Sequence, residues 1–130
     1  MNMENQVTSI EQSKRLLELG IKADNASMWW ERYAGVPEIE DRFKSAWHIV
    51  VDKDAHHADH YEYVPAFTVV DLFDIIGEPE GYTFYVTKWD ACEEYAVELA
   101  GYKPVFFKNK RLIDSAFQMV EYLKVTGRLG

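Results

Sequence analysis

The chain has 130 residues, the size of one domain with one core, and 48% of them are apolar, which excludes a wholly disordered polypeptide. A net charge of −8 sets the surface against phosphate backbones and anionic lipid, so it argues against general nucleic-acid and membrane-surface binding. No apolar run approaches the roughly 20 residues that cross a bilayer, the first nine residues lack a signal-peptide pattern, and the single Cys92 leaves no intrachain disulfide; together these predict a cytoplasmic protein.

In chain order, residues 1–7 are a polar lead expected to fray. Thr8 with Glu11 forms a capping-box signature, and Ser9 with Gln12 is the same signature shifted by one. Ile10, Leu16 and Leu17 share a face, and Gly20 stands where a C′ glycine ends a helix, so the spacing predicts a helix over 9–19. Further on, Asp24 or Asn25 offers a cap for a short helical turn through Ala26, Ser27 and Met28. Trp29 and Trp30 are adjacent and cannot both face a core. One is expected inside and the other partly exposed, which makes the pair a candidate contact site for a partner.

Gly35, Val36 and Pro37 break the pattern, and the charged 38–44 reads as a loop or one helical turn. Residues 46–51 (AWHIVV) read as a strand and 52–60 as a polar loop, after which Tyr61, Tyr63 and Val64 lead to Pro65. Thr68 with Asp71 repeats the capping box, and Val69, Leu72, Phe73 and Ile76 predict a short helix over 69–76, ended by Gly77 and Pro79. Residues 82–88 alternate, with Tyr82, Phe84 and Val86 on one side and Thr83, Tyr85 and Thr87 on the other, which predicts a strand with one buried face. Residues 89–93 read as a polar connection, 94–100 as a second strand with Tyr95, Val97 and Leu99 together, Gly101-Tyr102 as a hairpin loop, and 103–108 as the return strand. From 112 to 123 the apolar residues Leu112, Ile113, Ala116, Phe117, Val120 and Leu123 fall at helical spacing. The expected fold is one α+β domain: a small antiparallel sheet of three to four strands packed against N-terminal and C-terminal helices.

Residues 61–100 hold nine acids and one base, whereas 101–130 hold two acids and six bases. Either these segments neutralise one another in the fold, or an acidic face is kept for a partner. The strongest chemical cluster is 52–60, with three of the four histidines and three aspartates. On a helical turn His56 and His60 would be i, i+4 neighbours, and with Asp52 they form a candidate divalent-metal site. The stretch lacks the intervening Glu of a metalloprotease helix and a clear distant ligand, so a solvated loop is the alternative. Cys92 has Asp90, Glu93 and Glu94 as sequence neighbours, which argues against a reactive thiolate. Carboxylate pairs such as Glu38 with Glu40, or Glu93 with Glu94, are expected by chance among 22 acids. Gly77 and Gly81 lack the Lys-Ser/Thr of a phosphate loop. Lys108, Lys110 and Arg111 sit at the start of the C-terminal helix with Asn109 as a possible N-cap. Cations there oppose the helix dipole, so the three are a candidate anion site unless acids such as Glu93 or Glu98 lie close.

The order of motifs resembles a family of small uncharacterised proteins encoded in bacterial prophages and other mobile elements. The resemblance rests on Glu11-Gln12-Ser13-Lys14, residues 16–21, Pro65-Ala66-Phe67-Thr68, Leu72-Phe73, Ala116, Met119-Val120 and Leu123. It departs at Phe67 and Tyr122, where the family carries Trp, and across 38–62, so the histidine stretch has no counterpart in it. The resemblance implies an α+β fold and a mobile-element origin, and no reaction. Two readings of function follow. One is a small acidic non-enzymatic accessory or protein-interaction protein, with a protein partner or a second copy as its ligand; its variant presents the acids of 61–100 to a cationic host site in imitation of DNA. The other is a metal-binding protein or metal-dependent hydrolase built on Asp52, His56 and His60, with a divalent metal as cofactor.

Overall fold

Helix α1 spans Ile10–Glu18, and the serine at its head closes the box: Gln12 N donates to Ser9 Oγ (3.1 Å) and Ser9 N to Gln12 Oε1 (2.9 Å). Thr8, the other candidate, is spent on tertiary structure. It is fully buried, its Oγ1 accepts from Phe67 N (3.1 Å) and bonds Ser13 Oγ (2.7 Å), and its own N–H donates to Phe67 O (2.9 Å). At the other end Gly20 takes φ +96°, a conformation a Cβ would oppose. The N–H groups of Gly20 and Ile21 then reach Leu17 O and Leu16 O, both at 3.0 Å, which satisfies the last carbonyls of the helix. In this computed structural model residues 6–34, 45–51 and 60–129 are described. Of the lead expected to fray, residues 1–5 lie outside the described residues, and Val7 is 1% exposed and bridges to Thr68, because its apolar side chain joins a core.

After a single 3-10 turn at Ala23–Asn25 the chain extends into β1, Met28–Tyr33. The helical turn expected through Ala26, Ser27 and Met28 does not form. Ser27 is instead held by Asp71, and the two tryptophans that follow are paired on both sides. β2 (His48–Val50) and β3 (Tyr61–Ala66) flank β1 antiparallel, with Trp30 opposite Ile49 and Val64. The second half of β3 is buried, and Pro65 fits because β3 is an edge strand. Trp30 (7% exposed) packs with Val7, Val64 and Ala66, and Ile10 of α1 lies against that cluster.

Helix α2 (Val69–Ile76) has the Thr68–Asp71 box that its sequence predicts. The second sheet follows, with β4 (Tyr82–Trp89), β5 (Glu94–Gly101) and β6 (Val105–Asn109) antiparallel in that order. α3 (Leu112–Val125) closes over β5 and β6. Its Ile113, Ala116, Met119, Val120 and Leu123 meet Val97, Leu99, Leu16, Phe67 and Leu72 in the larger core. Asn109 does not cap this helix. It ends β6, and its amide donates to Ser115 Oγ (3.1 Å) and Gln118 Oε1 (2.6 Å), so Arg111 stands at the N-cap.

The fold is therefore α+β, with a three-stranded antiparallel sheet over the segments that alternate. A second three-stranded sheet is added by the chain around the two tryptophans. Helices connect them. α1 lies on the β2–β1–β3 sheet and binds α3, which covers the β4–β5–β6 sheet, through Gln12 Nε2 to Asp114 Oδ1 and Arg15 Nε to Glu121 Oε2, both 2.9 Å. No helix among the described residues is long and apolar enough to cross a membrane.

Candidate interaction surface

Of the residues singled out by sequence, those that are described lie on different elements. Asp52 and His56 lie outside the described residues. His60 is exposed just before β3, where its carbonyl accepts from Ala34 N (2.9 Å). Among the described residues no three His, Cys, Asp or Glu side chains gather as metal ligands would. Trp30 belongs to the core and donates its Nε1–H to Thr8 O (2.9 Å), so it is not available to a partner; Trp29, on the opposite face of β1, is half-buried. Cys92 is exposed in the β4–β5 turn, and Glu38, Glu40 and Asp41 fall outside the described residues.

The three bases before α3 point to different places. Lys108 Nζ stands 4.1 Å from the centre of the Trp89 ring, Lys110 is exposed, and Arg111 forks onto Asp114 at 3.0 and 3.1 Å. The acid that offsets the dipole conflict is thus in the first turn of α3 itself, where negative charge is favoured. Neither Glu93 nor Glu98 supplies it. The hydrogen bond to Asp114 raises the Arg111 pKa, with burial opposing and the carboxylate's charge adding. For Asp114 burial pushes upward, but the bonds from Arg111 and Gln12 and the guanidinium charge prevail, so its carboxyl lies below the usual value.

The acids of 61–100 are spread over several elements. Glu62 pairs with Arg32 (2.7 Å), Asp71 is buried in its cap, Asp74, Glu78 and Glu80 lie in or just after α2, Asp90 and Glu93 occupy the β4–β5 turn, and Glu94 and Glu98 lie on β5. This distribution counts against an array spaced like phosphates.

What the second sheet does bring together is aromatic. Its inner face carries Val97 and Leu99 against α3; the outer face has no helix or strand over it among the described residues. On that outer face Tyr85 is 49%, Trp89 44% and Phe106 53% exposed. Trp89 stacks on Phe106 with centroids 6.4 Å apart and rings 16° from parallel, and Lys108 adds its ammonium to the same indole. Glu98 lies on β5 between Tyr85 and Phe106, directly opposite both. The face is an apolar centre of large, rigid rings with two acids, Glu94 and Glu98, and one base, Lys108, the kind of composition that dominates protein contact surfaces. The sequence reading placed Trp89 in a polar connection. A signal was present in Phe106-Phe107, since neighbours on a strand face opposite ways and only one could be inside.

Two other features were not read from the sequence. Glu31 of β1 is fully buried, with Oε1 2.8 Å from Nε2 of the half-exposed His48 directly across on β2. A cleft of about 500 Å³ opens between the first turns of α2 and α3, walled by Val7, Met28, Val69, Val70 and Leu112 with Arg111 at its rim. Among the described residues its walls contain no His, Cys, Asp or Glu, and of its polar members Gln6, Thr68, Tyr95 and Arg111, Thr68 is engaged in the α2 cap and Arg111 with Asp114. Compared with protein-family models, curated proteins and solved structures, the chain matches none.

Proposed function

We propose that the protein is a small acidic, non-enzymatic protein-interaction protein of mobile-element origin, acting in the cytoplasm. It engages its partner through the outer face of the β4–β5–β6 sheet. The observation that carries this reading is the exposed Trp89–Phe106 stack beside Tyr85, with no described element covering it. Large aromatic side chains on a rigid sheet bury much area at little entropic cost, which is why such residues anchor contacts. The mixed polarity of Glu98 and Lys108 suits a protein surface better than the uniformly negative surface of nucleic acid.

The test is affinity capture from host-cell lysate with the wild-type protein and with a Trp89→Ala/Phe106→Ser variant, after circular dichroism has established that both fold. A specific partner held by the wild type and lost by the variant is expected. Identical capture by both proteins would overturn the assignment of this face.

A further inference from the structure

We infer that two copies of this chain join through the free edge of β4 to make one continuous six-stranded antiparallel sheet. This goes beyond the partner-binding role of the outer face and does not depend on it. β4 is eight residues long and lies at the rim of its sheet, paired among the described residues to β5 alone. Its register with β5 runs without interruption from Tyr82 opposite Gly101 to Trp89 opposite Glu94, so no bulge twists the edge away. It contains no proline and a single charge, Lys88. Open edges of this kind are ordinarily blunted by proline, lysine or a bulge because their unpaired N–H and C=O groups recruit another strand. The opposite rim shows that protection: β6 is five residues long, follows Pro104, and is flanked by Lys103 and Lys110 with Lys108 inside it.

Val86 adds a second observation. It points to the helix side of the sheet, in register with the fully buried Val97, yet it is 42% exposed because α3 covers β5 and β6 instead. From Tyr85 onward every residue of β4 is exposed. An apolar side chain on the inner face at an uncovered rim is what a neighbouring strand would cover.

A second copy fits this rim, because the strand is complementary to itself about a two-fold axis. With Tyr85 opposite its own copy, Thr83 faces Thr87, Phe84 faces Val86, and Tyr82 faces Lys88 of the other strand. Thr–Thr, aromatic–β-branched and aromatic–cation pairs are favourable cross-strand neighbours, and no like charges meet within 82–88. Each copy's Val86 is then covered by the other copy's Phe84, and the two outer faces join into one aromatic surface.

The experiment is sedimentation equilibrium of the purified full chain, wild type and Val86→Lys, with disulfide mapping on a Cys92→Ser background. The wild type is expected to sediment as a dimer and Val86→Lys, which sets a charge on the rim of each copy, as a folded monomer. In the Cys92→Ser background, Tyr85→Cys is expected to form an intermolecular disulfide on mild oxidation, because directly opposed antiparallel residues lie within disulfide reach. Thr83→Cys, displaced from its own copy by four residues, is expected not to. A wild type that remains monomeric up to about 100 μM, well above the micromolar constants of weak specific pairs, would overturn the inference. So would a dimer that survives Val86→Lys with no Tyr85→Cys crosslink.

Discussion

The carboxylate of Asp71 holds Ser27 from 44 positions away: Ser27 N donates to Asp71 Oδ2 (2.8 Å) and Ser27 Oγ to Oδ1. The same carboxylate closes the α2 capping box by accepting from Thr68 N (2.9 Å). One side chain therefore fixes the start of a helix and the entry into β1, and it does so from a buried position. Replacing Asp71 with Ala is expected to cost about 3 kcal/mol, the sum of a lost cap and lost charge-assisted bonds. Ser27→Ala, which keeps the backbone bond, is expected to cost about 1 kcal/mol. Urea denaturation of both single variants and the double variant checks this, and fully additive losses would show that the two residues are not coupled.

The Glu31–His48 pair predicts an asymmetry. Glu31 is inaccessible to water whereas His48 is half-exposed, so removing the histidine deprives a buried carboxylate of a partner it cannot replace with bulk solvent. His48→Ala is expected to destabilise by about 1–3 kcal/mol and His48→Gln, which can still donate, by less. Thermal melts of the two variants decide it; equal melting temperatures would mean that the hydrogen bond carries no stability.

Arg111 and Asp114 predict a pH dependence of defined sign. The folded carboxyl of Asp114 has a lowered pKa, so the pair's contribution is fully present above the ordinary carboxylate pKa and is lost as pH falls through the lower folded value. Both groups are partly exposed, at 45% and 28%, so the contribution is below about 1 kcal/mol after solvent screening. Stability measured from neutral pH into the acid limb is expected to fall less steeply in Asp114→Asn than in the wild type. Superimposable acid limbs would contradict this.

Gly101 predicts a close-packing cost. A Cβ at this position would stand 2.6 Å from Tyr82 Cδ1 and 2.7 Å from Gly81 O. The ring could rotate aside but the backbone oxygen could not, so Gly101→Ala is expected to cost about 2 kcal/mol, in the range of overpacked sites. An unchanged urea midpoint would refute it.

The contrast between Thr8 and Ser9 shows how much of this fold could be read in advance. Helices α1, α2 and α3 and the strands β4 to β6 announce themselves, because caps, period and alternation are local. Which of two shifted capping boxes α1 uses is not local: Thr8 is withdrawn from capping by Phe67 and Ser13. β1 was missed for the same reason, since Ser27 is extended by a carboxylate in a different element. β3 was missed because Pro65 masks a strand whose rim position could not be seen before its partners were known. At the candidate surface, the alternation of 82–88 separates Tyr85 from Tyr82, Phe84 and Val86, but which side meets the core is decided by the register with the buried Val97 and Leu99. Trp89 was lost because β4 runs one residue further than its alternating core suggests.

The bonds between α1 and α3 have a bearing on synthesis. Gln12 and Arg15 find their partners Asp114 and Glu121 102 and 106 positions later. At a ribosomal rate of about 5–20 residues per second, α1 waits roughly 5–20 seconds for the helix it docks against. During that interval Leu16, fully buried in the finished molecule, has only part of its eventual shelter. The nascent chain thus carries an amphipathic helix with an incompletely covered apolar face until α3 is made, and it is over this interval that a holdase would meet it.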